Sequence, residues 1–206
     1  MIGRFGRAEV FSFHATKFFN TFDGGAIVTN DDTLAETARL MRNFGFSGLD
    51  EVVHPGTNGK MVEMCAAMGL TNFASIETFI ATNRRNFLAY RDALDGIPGI
   101  SLLTYNEAER SNYQYIVIEV GPESAATRDQ IVSSLRSENI LVRRYFWPGC
   151  HRMQPYSTLY PESSRHLPNT EKVAARVVVL PTGMAVSVAQ VKSIAGRIRK
   201  LAGGAS

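Results

Sequence analysis

An α/β chain in two parts is predicted for this 206-residue sequence, and three observations predict it. Two short strand patterns, residues 8–13 and 25–29, flank a turn that carries Lys17. A helical pattern of unusual length, residues 61–94, fills the middle of the chain. Beyond Gly96-Ile97-Pro98-Gly99, brief β-branched runs alternate with helices that open on Ser/Thr-x-x-Gln signatures, the patterning of an α+β region.

Val10, Phe11 and Phe13 make the first strand, and Ala26, Ile27 and Val28 the second. Asn30 is expected to cap the following helix, with Asp31 and Asp32 in its first turn, Leu34, Ala38 and Met41 on one face, and Gly45 as its stop. Residues 46–60 hold Gly48, Pro55, Gly56 and Gly59 without periodicity, and read as a loop of functional character. The long helix should break near residues 72–75, and it reads as a connector between two domains. Strands are expected at 100–103, 113–120 and 140–147. Thr127-Arg128-Asp129-Gln130 makes a capping box for a helix burying Ile131, Val132 and Leu135. Asn169 is expected to cap a helix running through Val177, followed by a short strand at 178–180. Ser187 to Gln190 forms a second box, and the last helix turns Val188, Val191, Ile194, Ala195, Ile198 and Leu201 inward before Gly203-Gly204 frays it.

Composition narrows the classes. With 45% hydrophobic and 20% charged residues, the chain suits a globular protein with one large or two small cores. Its net charge of +3 comes from scattered pairs such as Arg84-Arg85 and Arg143-Arg144, without the clustered basic and aromatic residues that nucleic acid requires. Arg143 and Arg144 read as a solvated strand edge. Cys65 and Cys150 stand far apart, outside any metal or redox spacing, and Cys65 reads as a small core residue. No apolar run approaches membrane-spanning length and no signal-peptide core is present, so the sequence reads as that of a cytoplasmic, reduced protein that engages neither nucleic acid nor membrane.

The most informative stretch is Ser12-Phe13-His14-Ala15-Thr16-Lys17, followed by Asp23-Gly24-Gly25-Ala26-Ile27-Val28-Thr29. An amine held on a turn just after a strand, facing a glycine-rich hairpin, suits covalent chemistry on a carbonyl. A lysine on a buried turn would have its ammonium form disfavoured, which supplies the neutral nucleophile.

Those two motifs, with Gly56-Thr57-Asn58-Gly59-Lys60-Met61, residues 63–70, Asn83-Arg84-Arg85, residues 143–156 and Leu180-Pro181-Thr182-Gly183, resemble the DegT/DnrJ/EryC1/StrS sugar aminotransferases in family order. These are pyridoxal-phosphate-dependent enzymes of the aspartate-aminotransferase fold type. The resemblance implies the C-terminal part of that fold: residues 1–80 as the tail of the large α/β cofactor-binding domain, a long connecting helix, and residues 81–206 as the small α+β C-terminal domain. It implies transamination of a nucleotide-linked keto-sugar with glutamate as donor, in a homodimer. Lys17 falls where the family holds its cofactor covalently; some family dehydratases carry histidine there, so lysine favours the aminotransferase.

Ser12 matches a hydroxyl that holds the cofactor phosphate, where the residues alone leave open a strand serine bonded to its neighbours. Asn58 matches an asparagine that reaches the phosphate from the neighbouring subunit, where a plain Asn-Gly turn is the other reading. Glycines at 56 and 59 would let the backbone pass close to a ligand or another chain. Lys60 matches a position near the same site that is usually arginine or lysine, which suits a substrate-phosphate role and also a surface role; His151, in Trp147-Pro148-Gly149-Cys150-His151, lies in the segment that borders the sugar pocket in relatives, and loop histidines are otherwise simply exposed. Asp23 stands where glutamate is usual, and Phe22 adds bulk beside it. Residues 1–6 resemble an internal family segment, and three cofactor-holding elements that relatives carry before the lysine have no room in sixteen residues. A second reading therefore stands beside the first: a truncated, non-catalytic remnant or interaction module of that family.

Overall fold

The computed structural model describes residues 5–204, so most of the segment at 1–6 lies outside the described residues. The chain divides into two compact units, Met1–Glu77 and Thr78–Ser206.

In the first unit β1 (Ala8–Ser12) pairs antiparallel with β2 (Gly25–Thr29), Val10 opposite Ile27 and Ser12 opposite Gly25. Val10 is 78% exposed, Ile27 and Val28 are also exposed, and Phe11 and Phe13 are half-buried, so this ribbon has little apolar cover within its own unit. α1 (Asp32–Arg42) follows. Its N-cap is Asp31 and not Asn30: Asp31 Oδ1 accepts from the Leu34 N–H at 3.0 Å, and Arg7 grips the same carboxylate. Gly45 closes the end of the helix, as its position predicts, returning its N–H to Leu40 O at 2.8 Å. α2 (Glu63–Ala74) and α3 (Ile76–Leu94) are the long helical pattern, broken at Ser75. Cys65 on α2 is half-buried where a core position was expected, because α2 fully buries only Gly69. Among the described residues no single helix is long and apolar enough to cross a membrane; α2 and α3 pass such a test only when joined across their break.

The second unit is built on a three-stranded antiparallel sheet, β3 (Ile100–Leu102), β4 (Ile116–Val120) and β5 (Val177–Leu180), with β4 central. One face carries Ile116, Ile118, Val178 and Leu180 into the core. α3 adds Phe87, Tyr90 and Leu94, α4 (Arg128–Ser137) adds Ile131, Val132 and Leu135, and α8 (Val188–Leu201) adds Val191, Ile194, Ala195 and Ile198. Both predicted capping boxes form: the Thr127 N–H donates to Gln130 Oε1 at 2.8 Å, and the Ser187 N–H to Gln190 Oε1 at 2.8 Å. The opposite sheet face bears a shallow apolar cleft of about 380 Å³ between Tyr105, Tyr115, Tyr145 and Phe146.

Two strand expectations are corrected. Tyr113 takes a φ of 50°, which no strand accommodates, so β4 starts at Ile116. Residues 140–147 form no strand; only Arg143 exchanges backbone bonds with Val179, at 3.1 and 2.7 Å. The chain then turns, Trp147 N–H to Arg144 O, into Pro148, which has no N–H for a ladder. Arg143 is exposed, whereas Arg144 is half-buried, bonded to Asp129 at 2.9 Å and set over the Trp147 ring. Downstream lie two single-turn helices, α5 (Tyr156–Leu159) and α6 (Ser163–His166), and then α7 (Pro168–Arg176). α7 is capped by Leu167 with Pro168 at its first position, in place of the expected Asn169 cap.

Asn83-Arg84-Arg85 and Leu180-Pro181-Thr182-Gly183 meet in this unit. Asn83 Oδ1 accepts from Thr182 Oγ1 at 3.0 Å. Asn86, fully buried, donates at 3.3 Å each to Thr182 Oγ1, Gly183 O and Val186 O, and accepts from Arg85 Nε and Nη2 at 3.2 and 3.0 Å. The Tyr90 hydroxyl donates to Pro181 O at 3.1 Å, and burial raises its phenol pKa.

Candidate active site

Lys17 lies in the loop between β1 and β2, and the local bonds explain its conformation. The Phe13 N–H donates to Gly24 O at 2.8 Å, and the Thr21 N–H to Phe13 O at 2.9 Å, which closes the loop at its base. Inside it the Lys17 N–H returns to His14 O at 2.8 Å, a tight turn with the lysine at its end. Ser12 Oγ accepts the His14 N–H at 3.4 Å, and His14 Nδ1 accepts the Thr16 N–H at 3.3 Å. The Ser12 and Lys17 side chains are both exposed, and Lys17 Nζ has no partner among the described residues. The expected buried turn is thus corrected: among the described residues nothing covers the amine.

The rest of the loop is packed. Phe19 stands edge-on to Phe13 at 5.0 Å and to Phe73 of α2 at 6.2 Å. Asn72 Nδ2 on α2 donates to Asn20 O at 2.8 Å, and Asn20 Nδ2 donates to Lys17 O at 3.3 Å. Thr21 is 2% exposed, its hydroxyl bonded to Asp23 O and its methyl lying where a side chain on Gly69 would begin, 2.8 Å away. Sequence reasoning missed these α2 residues; their separation from Lys17 leaves no local signal.

Asn58 and Lys60 sit on a loop folded back over the end of α1. Asn58 bridges Asn43, the Phe44 N–H donates to Thr57 O at 3.1 Å, and the Thr57 N–H to Met41 O at 2.8 Å. Gly56 lacks a side chain because the chain's own Phe44-Gly45 backbone occupies that space, a nearer reason than a ligand or another chain. The Asn58 side chain is exposed, whereas Lys60 Nζ donates to Asn43 Oδ1 at 3.2 Å and lies 4.3 Å from the Phe44 ring centre. Met61 brings this loop to the lysine hairpin, its methyl 2.8 Å from where a Gly24 side chain would start.

His151 belongs to the second unit. Its Nε2 lies 2.8 Å from Glu171 Oε1 on α7, and Arg152 Nε donates to the same oxygen at 2.7 Å. Arg152 first, then His151 and Ser164, hold the Glu171 carboxyl down to about 2 by hydrogen bonding to its charged form. The histidine ring, with its side chain only 9% exposed, ties its loop to α7. The structure thus brings Ser12 and Lys17 onto one turn, joins the Asn58–Lys60 loop to that hairpin through Met61, and gives His151 a partner of its own.

Solved structures share this fold. Helicobacter pylori PseC, an aminotransferase involved in the biosynthesis of pseudoaminic acid, superposes with a TM-score of 0.87 at 27% identity, over 98% of this chain and 55% of its own. DesI, crystallised in the presence of its TDP-sugar product, superposes at 0.82 with 41% identity, over 96% and 50%. The two units therefore have the mixed helix-and-strand fold of the pyridoxal-phosphate-dependent aminotransferases. The sequence pattern of the DegT/DnrJ/EryC1/StrS aminotransferase family matches residues 1–199, and the chain belongs to that family. Among curated relatives, the dTDP-4-amino-4,6-dideoxy-D-glucose transaminase of Shigella dysenteriae is 34% identical over 198 residues, 96% of this chain and 53% of the relative. The chain spans about half the length of the relatives it matches.

Proposed function

We propose that this chain is part of an enzyme that moves an amino group from glutamate to a keto-sugar linked to a nucleotide, and that Lys17 holds its pyridoxal phosphate. The observation that carries this reading is Lys17 itself: an unpartnered amine on a turn fixed at both ends. Its support is the kinship to proteins whose names specify nucleotide-sugar transamination.

The donor set suits the group, with an amine for an aldehyde and the exposed Ser12 hydroxyl and Asn58 carboxamide for a phosphate. Pyridoxal phosphate, when bound, supplies the carbonyl that carries the nitrogen and the electron sink for a deprotonated substrate carbon. Lys17 Nζ would bond the group at rest; once free, it would take a proton from the donor carbon that gives up the nitrogen and, in the second half of the reaction, give one to the sugar carbon that receives it. Ser12 fixes the phosphate of its own subunit, and Asn58 that of a partner subunit in a homodimer. Lys60 exchanges Asn43 and the Phe44 ring for an anionic group of the substrate, and His151 borders the sugar. Residues 1–80 serve the cofactor-binding domain, residues 81–206 the small domain, and the enzyme works in the cytoplasm.

The test is a coupled assay of the whole enzyme for 2-oxoglutarate release from glutamate, with a panel of nucleotide-linked keto-sugars and their unlinked counterparts. Lys17→Ala should lower turnover by about a thousandfold or more, with circular dichroism unchanged. Turnover retained without Lys17 removes it from the chemistry, and turnover confined to unlinked sugars overturns the substrate class.

A further inference from the structure

All five lysines of the chain, at 17, 60, 172, 192 and 200, are exposed. Accessibility therefore does not single out Lys17, and burial does not prepare it. Lys172, Lys192 and Lys200 stand on α7 and α8 and Lys60 bonds Asn43, whereas Lys17 sits in a loop whose backbone is nonetheless held. A solvent-facing loop normally leaves a side chain free to sweep a wide volume. Here both flanks of the lysine are fastened, and the fastenings on its C-terminal side come from one helix face.

Asn72 Nδ2 donates to the backbone carbonyl of Asn20 at 2.8 Å, and Asn20 Nδ2 turns back to the backbone carbonyl of Lys17 at 3.3 Å. The two carboxamides form a relay from α2 to the lysine. Phe73, the next residue of α2, meets the edge of Phe19, which in turn meets Phe13 at the end of β1. Gly69, one turn earlier, receives the methyl of the buried Thr21.

The geometry points to Asn72 as a positioning residue: through Asn20 it fixes the carbonyl of Lys17, and thereby the direction from which the amine leaves the backbone. This rests on the reading of Lys17 as the residue that bonds the cofactor. The physical reason for such a device is that a nucleophile held near its line of attack has already lost the freedom that a mobile one must give up, and an error of about 1 Å can cost about a hundredfold in rate. Asn72 touches neither the amine nor any reacting atom, so its effect travels only through the backbone of residues 17–20.

The test uses Asn72→Asp, which keeps the side chain's size but presents oxygen where the carbonyl of Asn20 needs a donor. Asn72→Gln keeps the donor on a longer stem. Asn20→Asp cuts the second step of the relay while leaving the Asn20 carbonyl and Asn72 in place, and covers the case in which the helix substitution unfolds the unit. The full chain is incubated with pyridoxal phosphate, reduced with borohydride, and digested, and the label on each lysine is counted over time by mass spectrometry. The four other lysines serve as internal controls. Wild type should label Lys17 fastest. Asn72→Asp and Asn20→Asp should slow Lys17 by about tenfold, leaving the controls unchanged, and Asn72→Gln should recover most of the rate. Equal Lys17 rates in wild type and both aspartate variants overturn the positioning role while sparing Lys17. Absence of any Lys17 preference in wild type instead removes the reading of Lys17, and the relay's purpose with it.

Discussion

Replacing Asn86 isolates the cost of the buried amide that joins α3 to residues 182–186. The wild-type carboxamide donates to three acceptors and receives two bonds from Arg85. Asn86→Ala removes them all, yet it orphans none of the acceptors. Thr182 Oγ1 still bonds Asn83, Gly183 O still accepts the Val186 N–H at 3.1 Å, and Val186 O still accepts Arg85 Nη2 at 3.1 Å. Arg85 is exposed and gives water the two bonds it made to Asn86, so the loss is two N–H groups' net hydrogen bonds at about 1 kcal/mol each plus a small void, about 2–3 kcal/mol in all. Asn86→Asp should be worse, about 3–5 kcal/mol, because a buried carboxylate would face the carbonyls of Gly183 and Val186. Urea denaturation followed by Trp147, the single tryptophan, reports on this unit. With a slope of about 2 kcal/mol per molar urea, the alanine variant's midpoint should fall by about 1–1.5 M. Two stabilities within about 0.5 kcal/mol of wild type, or an aspartate variant more stable than the alanine one, would refute the reasoning.

Gly69→Ala should destabilise the first unit by about 1–2 kcal/mol, although the same exchange inside an open helix gains up to about 1 kcal/mol. The added Cβ lies 2.8 Å from the Thr21 methyl, which is buried and held by the bond to Asp23 O, and faster amide exchange at residues 19–21 would show the displacement. The Glu171 clamp should weaken on acidification. A carboxyl lowered from 4.5 to about 2 contributes stability that is full above its unfolded range and lost as pH falls from about 4.5 towards 2. Hydrogen exchange at residues 150–153 should rise across that window in wild type and stay flat in Glu171→Gln; equal slopes in both would detach His151 and Arg152 from the carboxylate.

Much of this architecture was legible in the sequence because its signals are local. Thr127 and Gln130, or Ser187 and Gln190, satisfy each other's backbone groups within one turn, so the boxes are written in neighbouring letters. The break at Ser75 and the strand–turn–strand around Lys17 follow likewise from short-range patterning. Residues 140–147 misled because β-branched and aromatic composition measures fitness for a pleated surface, and only Arg143 found a neighbouring strand to pair with. Tyr113 misled because a buried aromatic in a positive-φ turn is spelled like one in a strand. In the candidate site the lysine turn was readable and its surroundings were not. Exposure of Lys17, the partners of Lys60 at Asn43 and Phe44, and the reach of Asn72 to Asn20 depend on which distant segments meet.

The amide cluster on α3 also settles a question of alignment. Phe87, Tyr90 and Leu94 recur at helical spacing, and a greasy stripe of that kind offers nearly the same contacts after the helix slides by one turn along its groove. Asn83 and Asn86 do not. Directional groups matched to Asn112 O, Thr182 Oγ1, Gly183 O and Val186 O would be left facing apolar surface after such a slip. Two polar side chains in an otherwise oily interface thus act as a vernier, giving α3 a single axial setting where packing alone would tolerate several.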